Sequence, residues 1–376
     1  MHLNCLQENL SHGLSVVGRA VATRTTLPIT QHVLLTTDGG RLKLSATNLE
    51  IAVSTWVGAE ILEEGSLTVP ARLLTDFVNS LPRQPIEITT EGQAKGIALK
   101  GAKVQASING ADADEFPPIP SVEDGVATRI GAKELREAIH QVVFAAAVED
   151  SRPVLTGVNV ELDGAKLTLA AADGFRLAVH TTQMSEPVGE KLSVIVPART
   201  LNEVERLLEG DEPVEVLVTP QRSQILFRLK NAEIVSQLIQ GNFPNYAQLI
   251  PNEHSTRVVV DLAELQRATR TASIFAKDGS GIIRIQVSPT EGGAGKLEVS
   301  SRAEELGDNT GEMEASVEGG EGRIAFNSRY LSDVLAVMGR DQVSLDMTTS
   351  SSPGVLRAVG DDKYVHVVMP MFVQWS

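Results

Sequence analysis

The sequence predicts an α+β protein of three similar domains, each with two helices packed on mostly antiparallel sheet. Three observations lead there. A strand-to-helix pattern recurs three times along the 376 residues. The helix in each copy returns its apolar residues at i, i+3, i+4 and i+7, the spacing of one buried face. Alternating strand-like runs with turn signals accompany each copy, Asp-Gly in the first two.

The pattern is clearest in Leu67-Thr68-Val69-Pro70-Ala71-Arg72-Leu73-Leu74, which recurs as Val194-Ile195-Val196-Pro197-Ala198-Arg199-Thr200-Leu201. A weaker third copy is Ile324-Ala325-Phe326-Asn327-Ser328-Arg329-Tyr330-Leu331. Pro70 to Pro197 is 127 residues and Pro197 to Asn327 is 130. Each copy reads as a short strand running straight into a helix, where a proline's missing N–H costs nothing. The apolar faces are Leu73, Leu74, Phe77, Val78 and Leu81, then Leu201, Val204, Leu207 and Leu208, then Leu331, Val334, Leu335 and Met338.

Each repeat also opens with a helical pattern. Leu10, Leu14, Val17 and Val21 mark the first, and Leu135, Ile139, Val142 and Val143 the second, starting near Ala132. Leu262, Leu265, Ala268 and Ala272 mark the third. Asp38-Gly39-Gly40 and Asp163-Gly164 are hairpin turns. Glu115-Phe116-Pro117 and Asn242-Phe243-Pro244 echo each other at an offset of 127 and read as crossings between domains. The domains are therefore drawn as residues 1–125, 126–252 and 253–376. The period is far longer than a solenoid's. Three large equal units suit an arc, or part of a ring closed by a partner chain.

Whole-chain numbers narrow the function. Aromatics are only 4%, so the cores must be built from aliphatic residues. The single cysteine, Cys5, cannot form an internal disulfide and reads as core filler. No leader pattern and no apolar run of spanning length is seen, so the chain is expected to be cytoplasmic and free of membrane. The formal net charge of -15 argues against tight, site-specific DNA binding, though not against positive charge gathered on one surface.

The chemistry of an enzyme is not in view. The sequence has no GxxxxGK[ST] loop, no HExxH and no GxSxG. Its seven histidines lack metal-ligand spacing, and paired acids such as Glu63-Glu64 read as solvated turns. Gly292-Gly293-Ala294-Gly295 reads as a hairpin tip. No catalytic residue, cofactor or metal is called for. The predicted helices carry Arg72, Arg136, Arg199 and Arg267, with Arg19 and Arg24 near the first. These are either ordinary solvated faces or one surface that holds phosphates loosely. A non-enzymatic scaffold of repeated interaction modules is the alternative reading.

Five stretches, in this order over the threefold period, carry a resemblance to a family. They are Arg24-Thr25-Thr26-Leu27-Pro28-Ile29, Asp173-Gly174-Phe175-Arg176-Leu177-Ala178, Phe243-Pro244-Asn245-Tyr246, Phe326-Asn327-Ser328-Arg329-Tyr330, and Tyr364-Val365-His366-Val367-Val368-Met369-Pro370-Met371. Over essentially its full length the chain resembles the bacterial DNA polymerase III beta subunit, the sliding clamp. The resemblance implies the DNA clamp fold: a head-to-tail homodimeric ring, helices lining the hole and sheets outside. Such a ring encircles duplex DNA without reading its sequence and tethers the replicative polymerase. Arg24 is then the foremost phosphate contact, with Arg72, Arg136, Arg199 and Arg267 behind it.

The resemblance also implies a client pocket near the junction of the second and third domains. Its residues here are Arg152, Leu155, Ala172, Gly174, Phe175, Arg176 and Leu177, then Pro244 and Leu249, then Asn327, Tyr330, Gly354, Val367, Met369, Pro370 and Met371. Leu155, Leu177, Leu249, Val367 and Met369 would floor it for a Leu or Phe anchor. Arg152, Arg176 and Asn327 would meet peptide carbonyls or a carboxylate. The implied clients are the polymerase III alpha subunit, clamp-loader subunits, translesion polymerases, mismatch-repair proteins and ligase, each through a short linear motif. At the ring joint, Ile274 and Phe275 would face Lys103, Ala106 and Ile108, with Glu298, Glu304 and Glu305 complementing Lys103; alternatively Ile274 and Phe275 are core. Two departures stand out. Phe175 replaces the His of many members, and Ala172 a small hydroxyl residue. The chain also runs on as Phe372-Val373-Gln374-Trp375-Ser376, which could cover the pocket rim, extend the groove or pack on the third domain.

Overall fold

The computed structural model describes residues 1–90, 95–277, 280–290, 292, 294–303, 305 and 307–375. Gly293, Glu304 and Ser376, which entered the sequence reading, lie outside the described residues.

The first repeat runs β1 (His2–Leu6), α1 (Gln7–Val17), β2 (His32–Asp38), β3 (Arg41–Thr47), β4 (Ile51–Val57), β5 (Ala59–Glu63), β6 (Ser66–Pro70), α2 (Ala71–Ser80), β7 (Pro85–Thr90), β8 (Gly96–Gly101) and β9 (Val104–Asn109). The second runs β10 (Val126–Ile130), α3 (Ala132–Val142), β11 (Gly157–Asp163), β12 (Lys166–Ala172), β13 (Arg176–Gln183), β14 (Leu192–Pro197), α4 (Ala198–Leu207), β15 (Val214–Val218), β16 (Gln224–Arg228) and β17 (Ala232–Gln237). The third runs β18 (Thr256–Asp261), α5 (Leu262–Lys277), β19 (Ile282–Pro289), β20 (Ala294–Ala303), β21 (Gly307–Gly319), β22 (Gly322–Asn327), α6 (Ser328–Ala336), β23 (Gln342–Met347), β24 (Gly354–Ala358) and β25 (Tyr364–Val368). Three similar α+β domains result, each with helices on antiparallel sheet.

The chain packs as two compact units that cut across these repeats. One is Met1–Lys133 with Arg199–Leu238, and the other Glu134–Ala198 with Ile239–Ser376. Sheet continuity explains the cut. In the first unit β17 of the second repeat pairs with β4 of the first, Ile234 opposite Val53. The result is an eight-stranded sheet ordered β10-β15-β16-β17-β4-β3-β2-β6, beside a five-stranded sheet β5-β1-β7-β8-β9. In the second unit β13 pairs with β25, Leu177 opposite Val367, within a twelve-stranded sheet from β14 to β22.

Local chemistry accounts for the elements. The β2–β3 hairpin turns through Gly39 and Gly40 at φ 54° and 73°, which suit the turn's left-handed positions. Gly13 lies inside α1, where glycine is intrinsically poor. A Cβ there would meet Val57 Cγ2 at 2.6 Å and Leu44 Cδ1 at 2.8 Å, so its absence lets α1 settle on the sheet. The cores are aliphatic: Leu3, Leu10, Leu14, Leu35, Leu42, Leu44 and Leu74 are fully buried in the first unit. Cys5 is buried among them, and burial pushes its thiol up to about 12, far from reactive.

All three strand-to-helix copies form as expected: β6 leads to α2, β14 to α4 and β22 to α6. Three details depart from the sequence reading. Leu73 is 54% exposed, because α2 buries Ala71, Leu74 and Val78 instead. Val21 lies beyond α1, which closes in a 3-10 turn at Gly18–Ala20. Ala294 and Gly295 are not hairpin tip but strand, paired with Ser316 and Ala315.

Candidate binding pocket

The second unit brings the sequence-predicted pocket residues to the β13–β25 seam. A tight corner precedes β13. Asp173 Oδ1 accepts hydrogen bonds from the Phe175 and Arg176 amides at 2.9 and 3.0 Å. Gly174 sits at φ 93°, and a Cβ there would press on the Arg152 guanidinium at 2.9 Å. Arg152 Nη2 donates to Asp173 O at 2.8 Å. Phe175 O in turn accepts from Met369 N at 2.8 Å, which fastens the chain after β25 to the corner.

The floor is apolar. Ala170, Leu177, Val179, Val355 and Val367 form one buried cluster, with Ala172, Phe243, Tyr246 and Ile250 packed against it. Tyr246 donates to Glu161 Oε1 at 3.1 Å; burial first, then that carboxylate, raises its pKa well above the ordinary range. Within two residues of this cluster in the chain, Phe175, Leu249 and Met369 are exposed by 57%, 53% and 44%. Three large apolar side chains left to water beside one apolar floor mark a surface built to be covered. Pro244 is exposed, while Pro370 and Met371 are half-buried. Gly354 is required by close packing: a Cβ would meet the Phe326 ring at 2.5 Å.

Two of the polar residues expected to meet a client are already engaged within the chain. Arg176 is buried, and its three side-chain nitrogens are engaged: Nε with Asp173 Oδ2 at 3.0 Å, Nη1 with Asp333 Oδ2 at 2.7 Å and Nη2 with Phe144 O at 2.7 Å. These bonds make it a strut between β13, α6 and the turn after α3. Asn327 caps α6, its Oδ1 accepting from the Arg329 and Tyr330 amides. Leu177 and Val367 are buried floor and Leu155 is buried outside that cluster, so the exposed apolar residues are Phe175, Leu249 and Met369. Sequence reasoning missed Phe144 and Asp333, which reach Arg176 only through tertiary contact, and Tyr246, which lay within a quoted motif.

The terminal extension follows the edge of β22. Met371 N donates to Ala325 O at 2.7 Å, and Arg323 lies 5.5 Å from the Trp375 ring centroid. Phe372 is 93% exposed.

Other expected sites are scattered more widely. In the first unit Arg24 is exposed in the loop before β2, and Arg199 is exposed on α4. Arg72 is exposed on α2, 3.9 Å from Asp76. Arg19 and Arg206 instead share Glu203 at 3.4 and 2.8 Å. In the second unit Arg136 is half-buried on α3 and Arg267 exposed on α5. Ile274 is 63% exposed, which rules out a core role, and Phe275 is half-buried. Lys103 is exposed and Ala106 half-buried, while the Ile108 side chain is buried within its own unit. Among the described residues no cluster of His, Cys, Asp and Glu could hold a metal.

The comparisons agree with this geometry. Family models for the N-terminal, central and C-terminal domains of the DNA polymerase III beta subunit match residues 1–120, 129–245 and 247–372. The chain is 32% identical to the beta sliding clamp of Synechococcus elongatus and 28% identical to that of Bacillus subtilis, each over 99% of both chains. The crystal structure of the Bacillus subtilis clamp superposes at a TM-score of 0.94, with 27% identity and full coverage of both chains. That of the Pseudomonas aeruginosa clamp bound to griselimycin gives 0.92, with 31% identity, covering 99% of this chain and 100% of that one. The chain belongs to the DNA polymerase III beta subunit family, the bacterial sliding clamps.

Proposed function

We propose that two copies of this chain join head to tail into a ring around duplex DNA, and that the ring tethers polymerase and other clients through the pocket at the β13–β25 seam. The observation that carries the tethering is the exposure of Phe175, Leu249 and Met369 at chain positions next to one buried apolar cluster. A short linear motif with a Leu or Phe anchor suits that surface, and an adaptable methionine suits one groove serving several clients. The clients would be the polymerase III alpha subunit, clamp-loader subunits, translesion polymerases, mismatch-repair proteins and ligase. Three domains, divided near residues 125 and 253, would each supply helices to the DNA-facing side. Arg24, Arg72, Arg136, Arg199 and Arg267 would meet phosphates there. Such contacts are sequence-blind and exchangeable, and topology, not affinity, would hold the ring.

Two open strand edges support the joint. β9 ends the five-stranded sheet. β21 pairs with β18 only from Ser316 to Gly319, while Gly307 to Ala315 pair with β20 alone. Unpaired edges are liabilities unless something covers them. Their charges are opposite: Lys100 and Lys103 flank β9, and β21 exposes Asp308, Glu312 and Glu314. An edge-to-edge pairing of β9 on one copy with β21 on the other, made twice, closes a ring. Ile274 and Phe275 on α5 would add apolar contact. Sedimentation should show twice the chain mass. Lys103→Glu should weaken the dimer about tenfold at low salt, the scale of one lost charge pair. A monomer under all concentrations would contradict the ring.

A further inference from the structure

Arg176 occupies the middle of a continuous series of flat groups that runs from the interior to the pocket rim. His366, fully buried, stacks on Phe144 with centroids 5.6 Å apart and planes at 15°. The Arg176 guanidinium carbon lies 5.3 Å from the Phe144 centroid and 4.5 Å from the Tyr330 centroid. Tyr330 then stacks on Phe175 at 6.4 Å and 26°. Phe175, the last member, is 57% exposed. The series gathers the turn after α3, the strand β13, the helix α6 and the corner that carries Phe175.

We infer that Arg176 is a positioning residue of the client pocket, fixing Tyr330 and Phe175 as a pre-set aromatic rim for an apolar or aromatic client side chain. The inference rests on the reading of this seam as the client site. Its ground is that the Arg176 side chain is only 7% exposed and three of the guanidinium's five N–H groups are already taken within the chain. Asp173, Asp333 and the Phe144 carbonyl take its three nitrogens. The same Asp173 also ties the Phe175 amide, so one carboxylate links the cation to the rim. A planar fork can bridge three acceptors while its faces meet rings; an ammonium cannot do both. A rim held in its bound geometry before the client arrives spares the ordering cost of binding. Loss of Arg176 would also leave Asp173 with only its two backbone-amide donors and Asp333 with only Arg329 at 4.0 Å among the bonds described, their side chains being 13% and 32% exposed.

The test uses the full-length protein and a fluorescein-labelled peptide copied from the clamp-binding segment of the organism's polymerase III alpha subunit. Arg176→Met and Arg176→Lys should each raise the peptide Kd at least tenfold. Converting the peptide's carboxylates to amides should leave that ratio unchanged, because no charge passes between them. A fluorine label on Phe175 should broaden or shift in the unliganded variants, at temperatures where circular dichroism shows them folded. Where Arg176→Met fails to fold, Asp333→Asn and Phe144→Leu, which keep the cation but loosen its seat, should give smaller losses of the same kind. Binding of Arg176→Met within twofold of wild type, an unchanged Phe175 signal, or a loss abolished by amidating the peptide would overturn the inference. Failure of the unmodified protein to bind the peptide would instead remove the client-site reading and the inference with it.

Discussion

At the scale of single residues, burial decides what a polar group can do. Arg152 and Arg176 look alike in sequence, both arginines near one motif. One is exposed with a single hydrogen bond to Asp173 O; the other is buried with three acceptors. His366 and His180 show the same rule. Burial, then the Arg176 charge, pushes His366 down to about 3; burial, then the Lys363 charge, pushes His180 down to about 4. An imidazole in an unfolded chain takes its proton near 6.5. Below that pH the unfolded state therefore binds more protons, and stability falls as pH drops from about 6.5 toward the folded values. His366→Phe deletes one of these groups. It loses the hydrogen bond with the Tyr364 hydroxyl, so it should be the less stable protein at pH 7.5. By pH 5 urea denaturation should show the difference moved in its favour by about 2 kcal/mol. Parallel stability curves across that range would mean His366 does not stay neutral. None of this is legible in the sequence, because Phe144 meets His366, and His180 meets Gln141, only through tertiary contact. The Asp173 corner, by contrast, is local, its turn being made by neighbours in sequence.

Elements were the most legible level. The strand-to-helix repeats formed where Pro70, Pro197 and Asn327 marked them. The third copy looked weaker because Asn replaces Pro. The structure supplies the reason it still works: Asn327 Oδ1 satisfies two helix-end amides that a proline leaves open. Asn327→Ala should therefore cost about 1 kcal/mol of stability in the C-terminal part of the chain, read by denaturant unfolding. No measurable loss would show the cap to be idle. Periodicity misassigned Leu73 because its spacing continued the apolar stripe by one residue, and only packing chooses which side of a wide stripe turns inward. The Gly292 to Gly295 stretch was read as a tip because glycines favour turns. Pairing of Gly295 with Ala315 shows that strand neighbours can draw such a residue into a ladder.

For the whole molecule, repeat length was visible but sheet continuity was not. No local signal announces that β17 will pair with β4, or β13 with β25. Yet the second pairing creates the buried apolar cluster next to Phe175 and Met369 in the chain. The acidic total of -15 suits a ring whose hold on DNA is topological, because a strongly basic protein would stick to the duplex and not slide along it. That claim is tested most directly by retention. The protein is loaded by its matched ATP-dependent clamp loader onto nicked circular DNA, isolated at moderately high salt, and the circle is then cut once. The account predicts that the protein stays on circles and runs off the linear product within the same interval. Equal loss from both forms, or equal persistence on both, would contradict encirclement and leave a surface-bound scaffold in its place.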